Sequence, residues 1–205
     1  MNNTMTATYI DILRHSECEG GHIFRGKTDV ALLPKGLQHM QDRIASLDQS
    51  WDCIISSPLV RCREYAEHLH AQTGTTLIIE PRIQEMSFGD WEGVKIDQLI
   101  ASANLSFLKW QQNPANYSPP GGEPLADVKT RLEQFFIDLM ENHAGKKVLL
   151  VTHGGVIRVL LSYLLNMPLQ YATCFDVPYA CFSRVGVFDD EKNRVIKLLA
   201  HNLTG

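Results

Sequence analysis

Apolar and polar positions alternate along this chain at two periods. Short apolar runs of strand length occur at 9–13, 53–56, 77–80 and 148–151. Between them, apolar residues recur at helical spacing over 34–47, from about 57 to 70, over 125–141 and over 156–165. Pro34 suits a first helical turn, and Gly74 a helix stop. The stripe Val128, Leu132, Phe135, Phe136 and Leu139 marks the face that the 125–141 helix buries. Residues 182–188 and 194–199 form a pair of strands with a turn over 189–193. The stretch 82–122 fits neither period. It is rich in aromatics (Phe88, Trp91, Phe107, Trp110, Tyr117) and closes on Pro119-Pro120-Gly121-Gly122.

Strands alternating with helices predict an α/β fold: a mostly parallel central sheet flanked by helices, with a C-terminal hairpin. The irregular stretch is expected to be a small helical or irregular cap insertion at about 86–123, inside a single domain spanning 1–205. Parallel crossovers put every strand's carboxyl end on one edge, where α/β proteins bind ligands. Arg14 and His15 follow the first strand, Arg61 lies just after the second, Glu85 after the third and His153 after the fourth. The pattern therefore predicts that five residues far apart in sequence meet at one edge.

A single histidine after a strand is ordinarily structural or solvent-facing. Two of them, each beside a turn at the same predicted edge, shift the balance toward function. Arginines suit a phosphate, because the guanidinium fork holds its oxygens by paired, charge-assisted hydrogen bonds. For Arg61 alone a solvated surface group is the ordinary reading. Ser56-Ser57-Pro58 before it adds a turn with hydroxyls and a helix start. Glu85, in a segment with Phe88 and Trp91, is placed for a desolvated general acid, against the plainer reading of a structural turn. A metal site would want further ligands at regular spacing. Asp11, Glu17, Glu19 and His22 do not supply it, and Asp11 alternates to the face opposite Ile10 and Ile12.

Gly21-His22-Ile23-Phe24-Arg25-Gly26-Lys27-Thr28 satisfies the phosphate-loop pattern G-x-x-x-x-G-K-T. That loop must leave a strand directly and open a helix whose amino end faces the phosphates. Here the strand ends at Leu13, and Asp29-Val30-Ala31-Leu32-Leu33-Pro34 is a poor helix start. The match reads as accidental.

Composition narrows the classes further. The chain has 205 residues and a formal net charge of −4, with both signs interspersed. That lacks the basic face of a nucleic-acid binder, while a phosphate ligand needs only a few local cations. The five cysteines are odd in number and form no C-x-x-C pair, which fits reduced thiols in a cytoplasmic protein. Residues 1–8 lack a signal-peptide pattern, and no apolar run reaches membrane-spanning length, so no membrane association is expected.

Taken together, these segments resemble the histidine phosphatase, or phosphoglycerate-mutase-like, superfamily. Arg14-His15 resembles the start of its Arg-His-Gly signature, and Gly26-x-x-Asp29-x-x-Leu32-x-x-x-Gly36 the stretch after it. Ser56-Ser57-Pro58-Leu59-x-Arg61 resembles the second motif, and Glu85-Met86-x-Phe88-Gly89-Asp90-Trp91-Glu92-Gly93 the acid-bearing one. Pro120-Gly121-Gly122-Glu123 and Thr152-His153-Gly154-Gly155 complete the set in family order. One departure is Ser16, where the family usually has glycine.

The resemblance implies a phosphohistidine mechanism. His15 would be the nucleophile, Glu85 the acid and base, and Arg14, Arg61 and His153 the neutralising groups. Ser16, Gly26, Glu123 and Gly154 would help bind substrate. No cofactor or metal is implied, and the partner is a small-molecule phosphomonoester. Hydrolysis is favoured over phosphotransfer, because family mutases resemble one another in a longer insertion after the acid motif. Within the phosphatase branch, Phe88-Gly89-Asp90-Trp91-Glu92 and the segment 175–183 resemble the alpha-ribazole phosphatases of cobalamin biosynthesis. A broad-specificity sugar or metabolite phosphatase, a phosphoglycerate-mutase-type phosphotransferase and a non-enzymatic phospho-ligand binder are the alternatives.

Overall fold

The computed structural model describes residues 6–47, 50–190 and 193–203. In chain order the elements are strand β1 (Thr6–Arg14), helix α1 (Pro34–Ala45), β2 (Cys53–Ser56), α2 (Val60–Thr73) and β3 (Thr76–Ile79). Two short helices follow, α3 (Ile96–Ala101) and α4 (Leu105–Gln112), then the long α5 (Leu125–His143). The chain closes with β4 (Lys147–Thr152), α6 (Gly154–Leu164), β5 (Phe182–Asp189) and β6 (Arg194–Ala200). The expected turn at 189–193 includes residues 191–192, and the expectation for 1–8 includes residues 1–5. Both sets lie outside the described residues.

The six strands form one sheet in the order β3-β2-β4-β1-β5-β6. β2 is parallel to β3 and β4, and β4 to β1, whereas β5 is antiparallel to both β1 and β6. The expected C-terminal hairpin is thus two strands of the central sheet. Alternation along each strand gives it two buried faces. Ile10, Ile12, Ile55, Val148 and Leu150 face one cluster, which α5 and α6 complete through Leu132, Phe136, Val156 and Leu160. Leu13, Ile54, Leu149 and Val151 face the other, covered by Met40 and Ile44 of α1 and by Tyr65 and Leu69 of α2.

Three boundaries differ from the sequence pattern for local reasons. β3 stops at Ile79, because the Glu80 carboxylate turns back to accept from the Arg82 N–H at 2.9 Å. α6 begins two residues early, at Gly154, with His153 in extended conformation just before it. The 86–123 stretch is more ordered than its composition indicates, with a short turn of 3-10 helix at Gly89–Trp91 as well as α3 and α4. Its rings do not form a core of their own. Phe88, Trp91 and Phe107 are buried in the same cluster as Ile10 and Ile12, joined by Phe24 from the loop that follows β1.

Asp11 does take the face opposite Ile10 and Ile12, and it is fully buried there. Its carboxylate accepts from Arg184 Nε at 2.6 Å, Arg184 Nη2 at 2.8 Å and Trp51 Nε1 at 2.7 Å. It is a structural anchor between the sheet and the segment that precedes β2.

Candidate active site

β1 and β4 are adjacent and parallel, with Arg14 in register with Thr152. Their exits therefore lie side by side, and the His15 N–H donates to the Thr152 carbonyl at 3.0 Å. The two imidazoles follow: the His15 and His153 ring centroids are 5.2 Å apart at an interplanar angle of 62°. The Thr152 hydroxyl donates to the Ile83 carbonyl at 2.6 Å, fastening the turn that carries Glu85 to the same edge.

The His15 ring is buried, and its Nδ1 lies 2.8 Å from the Ser16 carbonyl. A carbonyl only accepts, so Nδ1 carries the proton and Nε2 keeps its lone pair. Burial, and then the charges of Arg14 and Arg61, push the His15 pKa well below 6.5. The same causes, in the order burial then Arg61, act on His153. Both rings are held neutral.

Glu85 sits at the amino end of α6. Its carboxylate accepts from the N–H groups of Met86 at 3.1 Å, Gly155 at 3.1 Å and Val156 at 3.3 Å. A Cβ at position 155 would lie 2.6 Å from Glu85 Oε1, so only glycine permits this approach.

Arg14 is positioned by the chain before β5. Its Nη1 donates to the Val177 carbonyl at 2.6 Å, and its guanidinium lies 4.5 Å from the centroid of the Tyr179 ring. Its Nε is buried without a hydrogen-bond partner. Burial lowers its pKa from 12.5, which still leaves it a cation at neutral pH.

A cavity of about 560 Å³ opens at this edge. Arg14, His15, Glu85, Gly154 and Gly155 line one part of it, and Phe24, Phe88, Phe107 and Trp110 another. Arg61 and His153 stand behind it, both fully buried. Arg61 donates from Nε to His153 Nδ1 at 3.2 Å, and from its Nη groups to the carbonyls of Arg25, Gly26 and Thr28. His153 accepts at Nδ1, so its proton is on Nε2, which donates to Ser57 Oγ at 2.7 Å. Arg61 is thus a buried cation bracing the histidines rather than a fork open to the cavity.

Three residues expected to contact substrate are held by other protein groups. Ser16 is buried, and its hydroxyl is 3.1 Å from His39 Nδ1, away from the cavity wall. Its backbone is not among the positive-φ residues, so serine is accommodated where glycine is usual. The Gly26 amide donates to Glu92 at 3.1 Å, and its own Cβ position is blocked by the Met86 carbonyl at 2.1 Å. Glu123 pairs with Arg131 at 2.8 Å and accepts from the Ser87 N–H.

The Glu92 contact explains the phosphate-loop look-alike. The N–H groups of Gly26, Lys27 and Thr28, with the Thr28 hydroxyl, all donate to the Glu92 carboxylate. The loop does cradle an anion, but the anion is its own side chain. Burial pushes the Glu92 pKa up, and the Thr28 and backbone hydrogen bonds outweigh it, holding the carboxyl below 4.5.

Two cavity cations are not singled out by the sequence pattern: Arg25 and Arg158. Arg158 lies four residues after Gly154, which puts it on the helix face turned toward the site. Arg25 lies inside the phosphate-loop look-alike. Among the described residues no group of three or more His, Cys, Asp or Glu could hold a metal ion, and no helix is long and apolar enough to cross a membrane.

The model of the histidine phosphatase superfamily (branch 1) matches residues 10–200. The chain belongs to that superfamily, and phosphomonoester hydrolysis is the activity class its relatives support. A putative phosphoserine phosphatase 2 of Hydrogenobacter thermophilus is 30% identical over 78% of this chain and 79% of its own. The adenosylcobalamin/alpha-ribazole phosphatase of Escherichia coli is 25% identical over 95% of this chain and 96% of its own. Among solved structures, mycobacterial hydrolase 1 superposes with a TM-score of 0.87 at 26% identity, covering 97% of this chain and all (100%) of that one.

Proposed function

We propose that the protein hydrolyses small phosphomonoesters through a phosphohistidine at His15. One observation carries this reading. The His15 tautomer leaves Nε2 free to attack, beside an Arg14 Nε that is buried without a partner. A phosphate oxygen satisfies that donor and a phosphorus accepts that lone pair.

In the first step the Nε2–P bond forms and the ester P–O bond breaks. Arg14 neutralises the phosphoryl oxygens, while Arg61 and His153 stabilise them from behind. Glu85, whose carboxyl accepts from the Met86, Gly155 and Val156 amides, relays the proton of the bound phosphate monoanion to the leaving oxygen. In the second step water attacks phosphorus and yields its proton to Glu85. The P–N bond breaks, returning neutral His15, and Glu85 gives up the proton to the departing inorganic phosphate.

The test is phosphate release from a simple aryl phosphate in excess EDTA. His15→Ala should lose about a thousandfold or more in rate, together with the acid-labile phosphoenzyme that a denaturing quench traps in the wild type. Full activity of His15→Ala overturns the proposal.

The first reading of the substrate is alpha-ribazole 5′-phosphate. The aromatic wall of Phe24, Phe88, Phe107 and Trp110, suited to a flat heterocycle, supports it, as does the substrate named for the E. coli relative. A second reading, a carboxylate-bearing phosphomonoester, is favoured by the cavity's unanswered positive charge. Phosphoserine, named for the H. thermophilus relative, is of this kind.

A further inference from the structure

Arg14, Arg25 and Arg158 all line the cavity, and none is ion-paired among the described residues. The one acidic side chain on the wall, Glu85, has its oxygens occupied by amides. The wall thus sets three arginines against one carboxyl.

Two of the three arginines meet at one point of the backbone. Arg14 and Arg158 belong together. An ideal Cβ on Gly154 would lie 3.2 Å from Arg14 Nε and 3.1 Å from Arg158 Nη1, so both guanidinia meet at the Gly154 backbone. Carbonyls of one loop hold them: Val177 for Arg14, and Phe175, at 3.0 Å, for Arg158. This pair adjoins His15 and answers a phosphate dianion.

Arg25 comes from another part of the chain. It enters with His22, Ile23 and Phe24, the first half of the loop whose amides hold Glu92. The residue is more than nine-tenths buried, at 8% exposure. One nitrogen, Nη2, donates to the carbonyls of Glu19 at 2.6 Å and Gly21 at 2.9 Å. Those carbonyls orient the guanidinium without neutralising it, and Nε is buried with no partner. A buried charge left unanswered is costly, so its retention at a cavity wall calls for an anion. Trp110 Nε1 is a second buried donor without an acceptor on the same wall.

We infer that the part of the cavity lined by Arg25 is a second anion subsite, in which Arg25 holds a carboxylate of the substrate. The preferred substrates are then small phosphomonoesters bearing a carboxylate. The inference rests on the phosphatase reading of the same cavity. The competing role for Arg25 is that of a staple for the turn at Glu19 and Gly21, and it predicts a different result. A staple affects all substrates alike, whereas a carboxylate anchor separates matched pairs.

The experiment compares kcat/KM for 3-phosphoglycerate with glycerol 3-phosphate, and for phosphoserine with phosphoethanolamine. Each pair differs in the carboxylate. Alpha-ribazole 5′-phosphate and an aryl phosphate complete the panel. A charge-assisted pair predicts that the wild type prefers the carboxylate member by about tenfold or more. Arg25→Met should bring that ratio close to one, chiefly through KM, and Arg25→Lys should keep part of it. A wild-type ratio near one, an unchanged ratio in Arg25→Met, a uniform loss across the panel, or faster turnover of alpha-ribazole 5′-phosphate overturns the inference while leaving the phosphatase reading standing. Failure of the wild type on every phosphate overturns both. Should Arg25→Met not fold, the wild-type ratio and Arg25→Lys still decide.

Discussion

Arg184, half-buried, and Arg25, buried, both direct a guanidinium inward, and the protein answers them in opposite ways. Arg184 meets the buried Asp11 carboxylate with two parallel hydrogen bonds, and Trp51 donates to one of the same oxygens, Oδ2. Arg82 and Arg131 are treated similarly, by Glu80 with Asp138 and by Glu123. At the cavity, Arg14, Arg25 and Arg158 receive backbone carbonyls instead. A carbonyl fixes direction but carries no net charge. Arg184, Arg82 and Arg131 are neutralised by carboxylates, whereas Arg14, Arg25 and Arg158, with Arg61 behind them, keep their charge. The second arrangement costs stability, which is the usual signature of a binding site.

Paired variants test this contrast most directly. Asp11→Ala removes a buried carboxylate and should lower the unfolding free energy in urea by about 3 kcal/mol. That is the low end for a broken pair, because Arg184 still reaches solvent. Its effect on kcat should be small. Arg14→Met should do the reverse. Loss of a preorganised donor costs about a hundredfold to a thousandfold in kcat, while stability stays within about 1 kcal/mol, since no ion pair is broken. Comparable stability losses in the two variants would erase the distinction.

The loop at Gly26 to Thr28 gives a middle-sized test. Glu92→Gln replaces an anion that accepts from several amides with a group that has one acceptor oxygen. It should destabilise by about 1–3 kcal/mol and speed amide exchange at Gly26, Lys27 and Thr28. Because the folded-state pKa of Glu92 lies below 4.5, its stabilisation is present above that pH and is lost as pH falls through the lower folded value. The wild type should therefore lose its advantage over Glu92→Gln in acid. An advantage independent of pH would show that the amides do not require the charge.

The histidine pair gives a test that is read along the pH axis. His15 and His153 are neutral in the folded protein with pKa values well below 6.5, whereas the unfolded chain takes up protons there. Stability should fall as pH drops below 6.5, by at most about 1.4 kcal/mol per unit for each histidine. Unfolding curves at several pH values measure the slope, and a variant lacking both rings should flatten it. A flat wild-type profile would mean the rings protonate in place.

Several features are legible in the amino-acid order because they are local. Period-two and helical patterns follow from which side chains face water, and they locate the elements of the sheet and its flanking helices. His15, Arg14, Glu85 and His153 fall together because a parallel sheet exposes the carboxyl ends of its strands on one edge, a topological rule that needs no coordinates. Arg61 belongs to that edge as well, but its orientation is not readable from the pattern. Whether a guanidinium faces a cavity or the carbonyls of Arg25, Gly26 and Thr28 depends on a loop distant in sequence.

Fold class, family and the set of residues gathered at one edge thus follow from the order of amino acids alone, since alternation, caps and motif spacing are written over a few positions each. What each charge is spent on is settled in three dimensions. Glu92 and the Gly26–Thr28 amides are 64 to 66 residues apart, and Asp11 and Arg184 are 173 apart. No local pattern shows that the first pairing turns a phosphate-loop sequence into a self-filled anion cradle. Nor does one show that Asp11 is answered while Arg25, one loop away from the histidines, is not. Electrostatic partnership is decided by distance in space, and chain separation carries almost no information about that distance until the sheet has closed.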